Sequence, residues 1–184
     1  MPEPVARYEA YSHAALAALV EQDNDPAAAG QAGAGWTGLA RRLEEATGPL
    51  VALSAGSEEQ WSGAGGDAMR AVLARATSWL GETAAASARV GDAVTGQAGV
   101  AARARADMPP PVEFDPAAMI RSAAASGNVL TLAGLSFDLD ARRAEAEAAR
   151  QKAIDVVRTR DEALRGFVPP VSFPAVPSLG AGPV

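Results

Sequence analysis

An all-α fold follows from three observations. Roughly a quarter of the 184 residues are alanine while only 5% are aromatic, so the best helix former dominates and large side chains are scarce. Proline is punctuated unevenly: after Pro49 the next is Pro109, which leaves a stretch long enough for an extended helix. The larger apolar residues recur at alternating steps of three and four, the spacing of helices packed along a seam. Alanine supplies little volume, so such a core forms only where helices approach closely. The predicted architecture is an elongated antiparallel helical bundle built on a long helix-turn-helix hairpin with a Trp-X-Gly bend.

The first helix is predicted from Pro4 to Glu21, with Tyr8, Tyr11, Ala15 and Leu19 on one face, and Gln22-Asp23-Asn24 breaks it. Asp25-Pro26 starts the second: the carboxylate accepts an orphan backbone N–H, and proline at the first helical position has none to satisfy. Its seam reads Trp36, Leu39, Leu43, Ala46, Leu50 and Leu53. Gly48-Pro49 predicts a kink between Glu45 and Pro49, but the seam stays in register, which argues for one bent helix. After a short loop at 57–63, a third helix is predicted from Ala64 to Asp107, about 65 Å at 1.5 Å per residue. Met69, Leu73, Ala76, Leu80, Ser87, Val90 and Val94 form its seam. So short a loop makes the two helices antiparallel neighbours.

Pro109-Pro110-Pro111-Val112-Glu113-Phe114 reads as extended linker, and Asp115-Pro116 repeats the start signal for a fourth helix that reaches Ser126. Gly127-Asn128 ends it. Val129 to Phe137 then forms an apolar tip, and a fifth helix is predicted over Asp138–Arg165 with a stripe of Leu139, Ala146, Ala153, Val157 and Leu164, extended by Phe167. The domain is set at 1–167, and 168–184 is a Pro/Gly-rich tail expected to be flexible.

Composition removes several functions. A net charge of −6 disfavours unassisted binding to a phosphate backbone, so no nucleic acid is expected. The chain has no cysteine and a single histidine, His13, which leaves no thiol nucleophile and no His- or Cys-based metal site. Asp138, Asp140, Glu145 and Glu147 interleave with Arg142, Arg143 and Arg150 and read as solvated ion pairs. Gly63, Gly65 and Gly66 lack the Gly-Lys-Ser/Thr ending of a phosphate loop, and the serines lack a partner base. No enzyme activity, cofactor or metal is expected. The N-terminus lacks a secretory signal pattern, and the best apolar run, Ala14 to Val20, is far short of a membrane span, so no integral membrane insertion is expected. Lys152 is the only lysine among many arginines, alanines, glycines and prolines, a composition suited to a GC-rich bacterial genome.

One motif carries more information. Trp61-Ser62-Gly63, followed by Ala64-Gly65-Gly66-Asp67-Ala68-Met69, stands at the hairpin bend: an aromatic closes the end of a two-helix seam and glycine permits the reversal. Ala34-Gly35-Trp36-Thr37-Gly38-Leu39-Ala40 precedes it, and Ser78-Trp79-Leu80 with Thr83-Ala84, Met108-Pro109-Pro110-Pro111-Val112, and Asn128 with its apolar tip follow. In that order these landmarks resemble the PPE domain, within the WXG superfamily of type VII (ESX) secretion substrates; the resemblance covers roughly residues 10–167. The Pro-Pro-Glu of the family name is absent, with Pro2-Glu3-Pro4 in its place. The Tyr-X-X-X-Asp/Glu export signal is absent too, since Ser12 and Ala15 stand four residues after Tyr8 and Tyr11.

The resemblance implies a non-enzymatic protein that is cytoplasmic before export and then secreted or held at the cell surface. Trp61, Ser62 and Gly63 would be half of a composite secretion motif whose other half lies on a PE partner. The Ala-lined seams leave apolar area that a lone hairpin buries poorly. Trp36, Leu39, Leu43, Leu50, Leu53, Met69, Leu73 and Leu80 are therefore the expected interface for a PE- or WXG-like helical partner, or for a homo-oligomer. The alternative is that the remaining helices close the core in a monomer. Val129, Leu130, Leu132, Leu135 and Phe137 would be the tip shielded by a type VII secretion chaperone, and a secretion ATPase is the further implied partner. A second reading makes this chain the export domain of a larger toxin or effector.

Overall fold

The computed structural model describes residues 8–22, 24–167 and 171–178. Among them are a 3-10 turn, Tyr8–Ala10, and five helices: α1 His13–Glu21, α2 Pro26–Gln60, α3 Ala64–Asp107, α4 Pro116–Ala125 and α5 Val129–Arg165. The all-α prediction holds, and α3 has the bounds read from the sequence. The chain divides into two compact units: one joins the residues up to Asn24 to Val100–Arg165, the other joins Asp25–Gly99 to the segment from Gly166 onward.

In the first unit Tyr8, Leu16, Val20, Ala104, Ala153, Ile154 and Val157 form the buried core, with Met108 and Val156 packed against it. The expected single first helix is a correction. Its start, Pro4 to Arg7, lies outside the described residues, and the chain breaks between Ala10 and His13, where Ser12 is extended and its Oγ accepts from the Ala15 N–H at 3.2 Å. That cap restarts the helical phase, so Leu16 and Val20 face inward while Tyr11 and Leu19 are exposed. Arginines of α5 satisfy backbone carbonyls that helix ends leave open: Arg160 Nη1 donates to Leu19 O at 2.7 Å and Arg150 Nε to Tyr11 O at 3.2 Å. Of the stripe predicted on α5, Ala153 and Val157 are buried and Leu139, Ala146 and Leu164 half-buried; Ile154, unforeseen, is buried too.

The second correction is at the tip. Val129–Phe137 is not a segment before the last helix but its first turns. Asn128 starts that helix by accepting the Leu130 N–H on Oδ1 at 2.9 Å and the Leu132 N–H on its carbonyl at 3.1 Å. An apolar run without proline then has no reason to stay extended.

In the second unit α2 and the first part of α3 form the antiparallel hairpin. α2 runs unbroken through Pro49 to Gln60, so the loop is shorter than predicted, Trp61 to Gly63. The two helices meet at Gly33 against Gly91 and Thr95, at Thr37 against Gly91, and at Ser57 against Arg70. Every one of these pairs is centred within about two residues of Ala64. A β-carbon on Gly33 would stand 3.0 Å from Thr95 N and 3.1 Å from Gly91 O; one on Gly91 would stand 3.0 Å from both Gly33 O and Thr37 N. Backbone therefore touches backbone, through two Gly-X-X-X-Thr turns, Gly33 to Thr37 and Gly91 to Thr95. This register brings Leu43 level with Ala84 and Leu50 level with Thr77, so large residues meet small ones along the seam.

Candidate functional site

The Trp-X-Gly bend is built from both helix ends. Trp61 closes α2 in an extended conformation, its N–H donating to Ser57 O at 2.9 Å, and Gly63 at φ 92° takes the left-handed turn that restarts the chain as α3. Arg70, one turn and a half into α3, reaches back over the turn. Its Nη1 donates to Trp61 O at 3.0 Å and to Ser57 Oγ at 3.4 Å, while Nη2 meets Asp67 at 2.5 Å. A guanidinium thus sits on the carbonyl-rich end of α2, where the helix dipole favours positive charge. The Trp61 side chain is 49% exposed, so the ring is offered to solvent by a bend whose backbone is tied down. Arg70 was missed in the sequence because its partners are backbone atoms of another helix, which no spacing rule encodes.

The residues expected at a partner interface divide. Trp36, Leu43, Leu50, Leu73 and Leu80 are half-buried at seam positions of the hairpin. Leu39 and Met69 are half-buried beside it, and Leu53 is 56% exposed with its neighbour Val51 at 54%. The seam read from large residues was half right: Trp36, Leu43 and Leu50 alternate with Ala40, Thr47 and Ser54 rather than with Leu39, Ala46 and Leu53. Small side chains let the backbones close, and the bulky row turns away from the crossing. Large-residue counting is blind to that choice.

At the start of α5, Leu130 is 82% and Phe137 77% exposed, Val129 and Leu132 are also exposed, and Leu135 is half-buried. The helix here is apolar on more than one face. The segment set apart as a flexible tail makes specific contacts over residues 171–178. Phe173 packs against Trp36 with ring centroids 5.9 Å apart and ring planes tilted by 36°, and Trp79 Nε1 donates to Pro174 O at 3.2 Å.

No arrangement suited to catalysis stands out among the described residues. His13 Nε2 pairs with Pro109 O at 3.0 Å, a tie between α1 and the proline linker. No group of three metal-ligating side chains occurs among the described residues. None of the described helices is long and apolar enough to cross a membrane.

The model of the PPE family matches residues 7–158, most of the chain. The chain belongs to the PPE family. No curated protein sequence matches it significantly. As a PPE protein it is associated with type VII secretion, in a non-enzymatic family whose members typically associate with PE proteins. The match spans the bend, the hairpin and the apolar start of α5, the stretch over which the landmarks were read.

Proposed function

We propose that this PPE protein is a substrate of a type VII (ESX) secretion system that works by helical protein–protein contact and has no catalytic role. A PE- or WXG-like helical hairpin docks on the face of α2 and α3 that carries Leu39, Leu53 and Met69. With it the bend at Trp61, Ser62 and Gly63 completes an export signal of which this chain holds one half. A type VII chaperone covers Val129, Leu130, Leu132, Leu135 and Phe137 before export, a secretion ATPase reads the composite signal, and the protein ends outside the cytoplasm or at the cell surface.

The observation that carries this reading is the exposed apolar surface at and ahead of the bend, Leu53 with Val51 on another side of α2 and Trp61 at the turn itself, on a hairpin that needs none of them for its own crossing. The test is co-expression with a PE-family protein followed by pull-down and fractionation of culture. Wild type should co-purify and leave the cell. Leu53→Asp should lose the partner by a factor of about a hundred, as expected for a central apolar contact worth about 2–3 kcal/mol. Trp61→Ala should keep the partner and lose export. A protein that stays monomeric and cytosolic with an intact secretion system would overturn the proposal.

A further inference from the structure

The segment after α5 has features the secretion reading leaves unused. Pro174-Ala175-Val176-Pro177 carries prolines three apart, and burial along the segment recurs with the same period: Val171, Pro174 and Pro177 are half-buried, while the residues between them are exposed. Three residues per turn is the repeat of the polyproline II helix, in which one edge of an extended segment contacts a surface. The surface here is aromatic and offers a donor. Trp36 packs against Phe173 in a tilted ring pair, and Trp79 donates its indole N–H to the Pro174 carbonyl. Just upstream the Phe167 ring lies directly on Gly96, and Gln97 Nε2 donates to Phe167 O at 3.0 Å, so the approach is guided as well. An aromatic surface with an indole N–H aimed at a proline carbonyl is the chemistry by which grooves recognise proline-rich peptides.

We infer that the hairpin face bearing Trp36 and Trp79 is a recognition site for an aromatic-proline extended segment, filled in this chain by its own residues 171–178. Because Trp36 stands one helical turn from Leu39 of the interface proposed for a helical partner, the segment borders that interface and is a strap that the partner must displace; that second part rests on the proposed function above.

The three tryptophans make the test direct. In the 15N-labelled full chain the indole signal of each is resolved by assignment, with Trp61 as the internal reference outside the strap. Phe173→Asp should shift the Trp36 and Trp79 signals and speed solvent exchange of the Trp79 indole proton at least tenfold, with the Trp61 signal and the helical circular dichroism unchanged. Trp79→Phe, which keeps a ring and removes the donor, should move the Trp36 signal toward its position in Phe173→Asp. Unmoved Trp36 and Trp79 signals would overturn the site. A concentration-dependent dimer abolished by Phe173→Asp would put the segment on a second copy and overturn the intrachain assignment. With the PE-family protein used above, Phe173→Asp should bind at least tenfold tighter than wild type, and equal affinities would overturn the strap. If neither chain binds, the proposed function fails and the strap with it, while the indole signals still decide the recognition site.

Discussion

Arg70 and Tyr8 show how single side chains hold this chain in ways that stripe-counting misses. Arg70 ties Ser57, Trp61 and Asp67 around the bend. Its partner Asp67 is largely exposed, so the ion pair itself contributes little and the carbonyl capping carries the effect. Arg70→Ala should lower unfolding stability by about 1–2 kcal/mol in urea titration, and Asp67→Ala by less than about 0.5 kcal/mol. Tyr8 donates its hydroxyl to the Asp161 carboxylate. Burial first, and then that carboxylate, push the phenol above its ordinary value of 10.0. Below that value the phenol is protonated in the folded and unfolded chain alike, and its contribution is complete. Above it the unfolded chain releases the proton first, so stability falls as pH rises toward the folded value. Melting temperature should therefore drop as pH rises above about 10, and Tyr8→Phe should flatten that part of the drop.

Among elements, the hairpin crossing is where sequence and structure differ most instructively. Start signals were legible because they are local: Asp25 accepts from Ala27 N and Ala28 N at 3.0 Å, and Asp115 from Ala118 N at 2.9 Å, each beside a proline that fits only there. The bounds of α3 were legible from its length of uninterrupted pattern. Which side of α2 faces α3 was not, because Gly33 and Gly91 contribute by lacking a side chain, and an absence has no periodic signature. Ser12 was missed for a related reason: a cap that restarts the phase looks, in a short stretch, like one more polar residue. The crossing can be tested against a matched control. Gly91→Ala should cost about 1–3 kcal/mol by thermal melt, since the added methyl meets backbone of α2. Gly35→Ala, on the same hairpin with nothing within 4 Å of the new methyl, should stabilise by up to about 1 kcal/mol.

At the level of the whole molecule, the most exposed large apolar side chains among the described residues include Val51, Leu53 and Trp61 near the bend, those at the start of α5, and Val176. A chain with a net charge of −6 spread over its polar faces stays dispersed only if those places are covered or diluted. Leu130→Asp with Phe137→Asp should leave the helical spectrum unchanged and the unfolding free energy within about 0.5 kcal/mol of wild type, because both side chains are solvent-facing, and should raise the soluble yield of the chain expressed alone. Loss of folding in that variant would mean the start of α5 packs inward. The family was legible at this scale from landmarks read in order along a stretch that the family match, 7–158, largely covers, whereas the strap was not, since proline-rich composition alone reads as disorder. The Gly33–Gly91 contact has a mechanical consequence for all of this. Long paired helices can signal by sliding one step past each other, but here a slide would drive Thr37 or Thr95 into the opposite backbone. The hairpin is pinned in register, and whatever docks on it or leaves it can be felt only as cargo on a rigid beam.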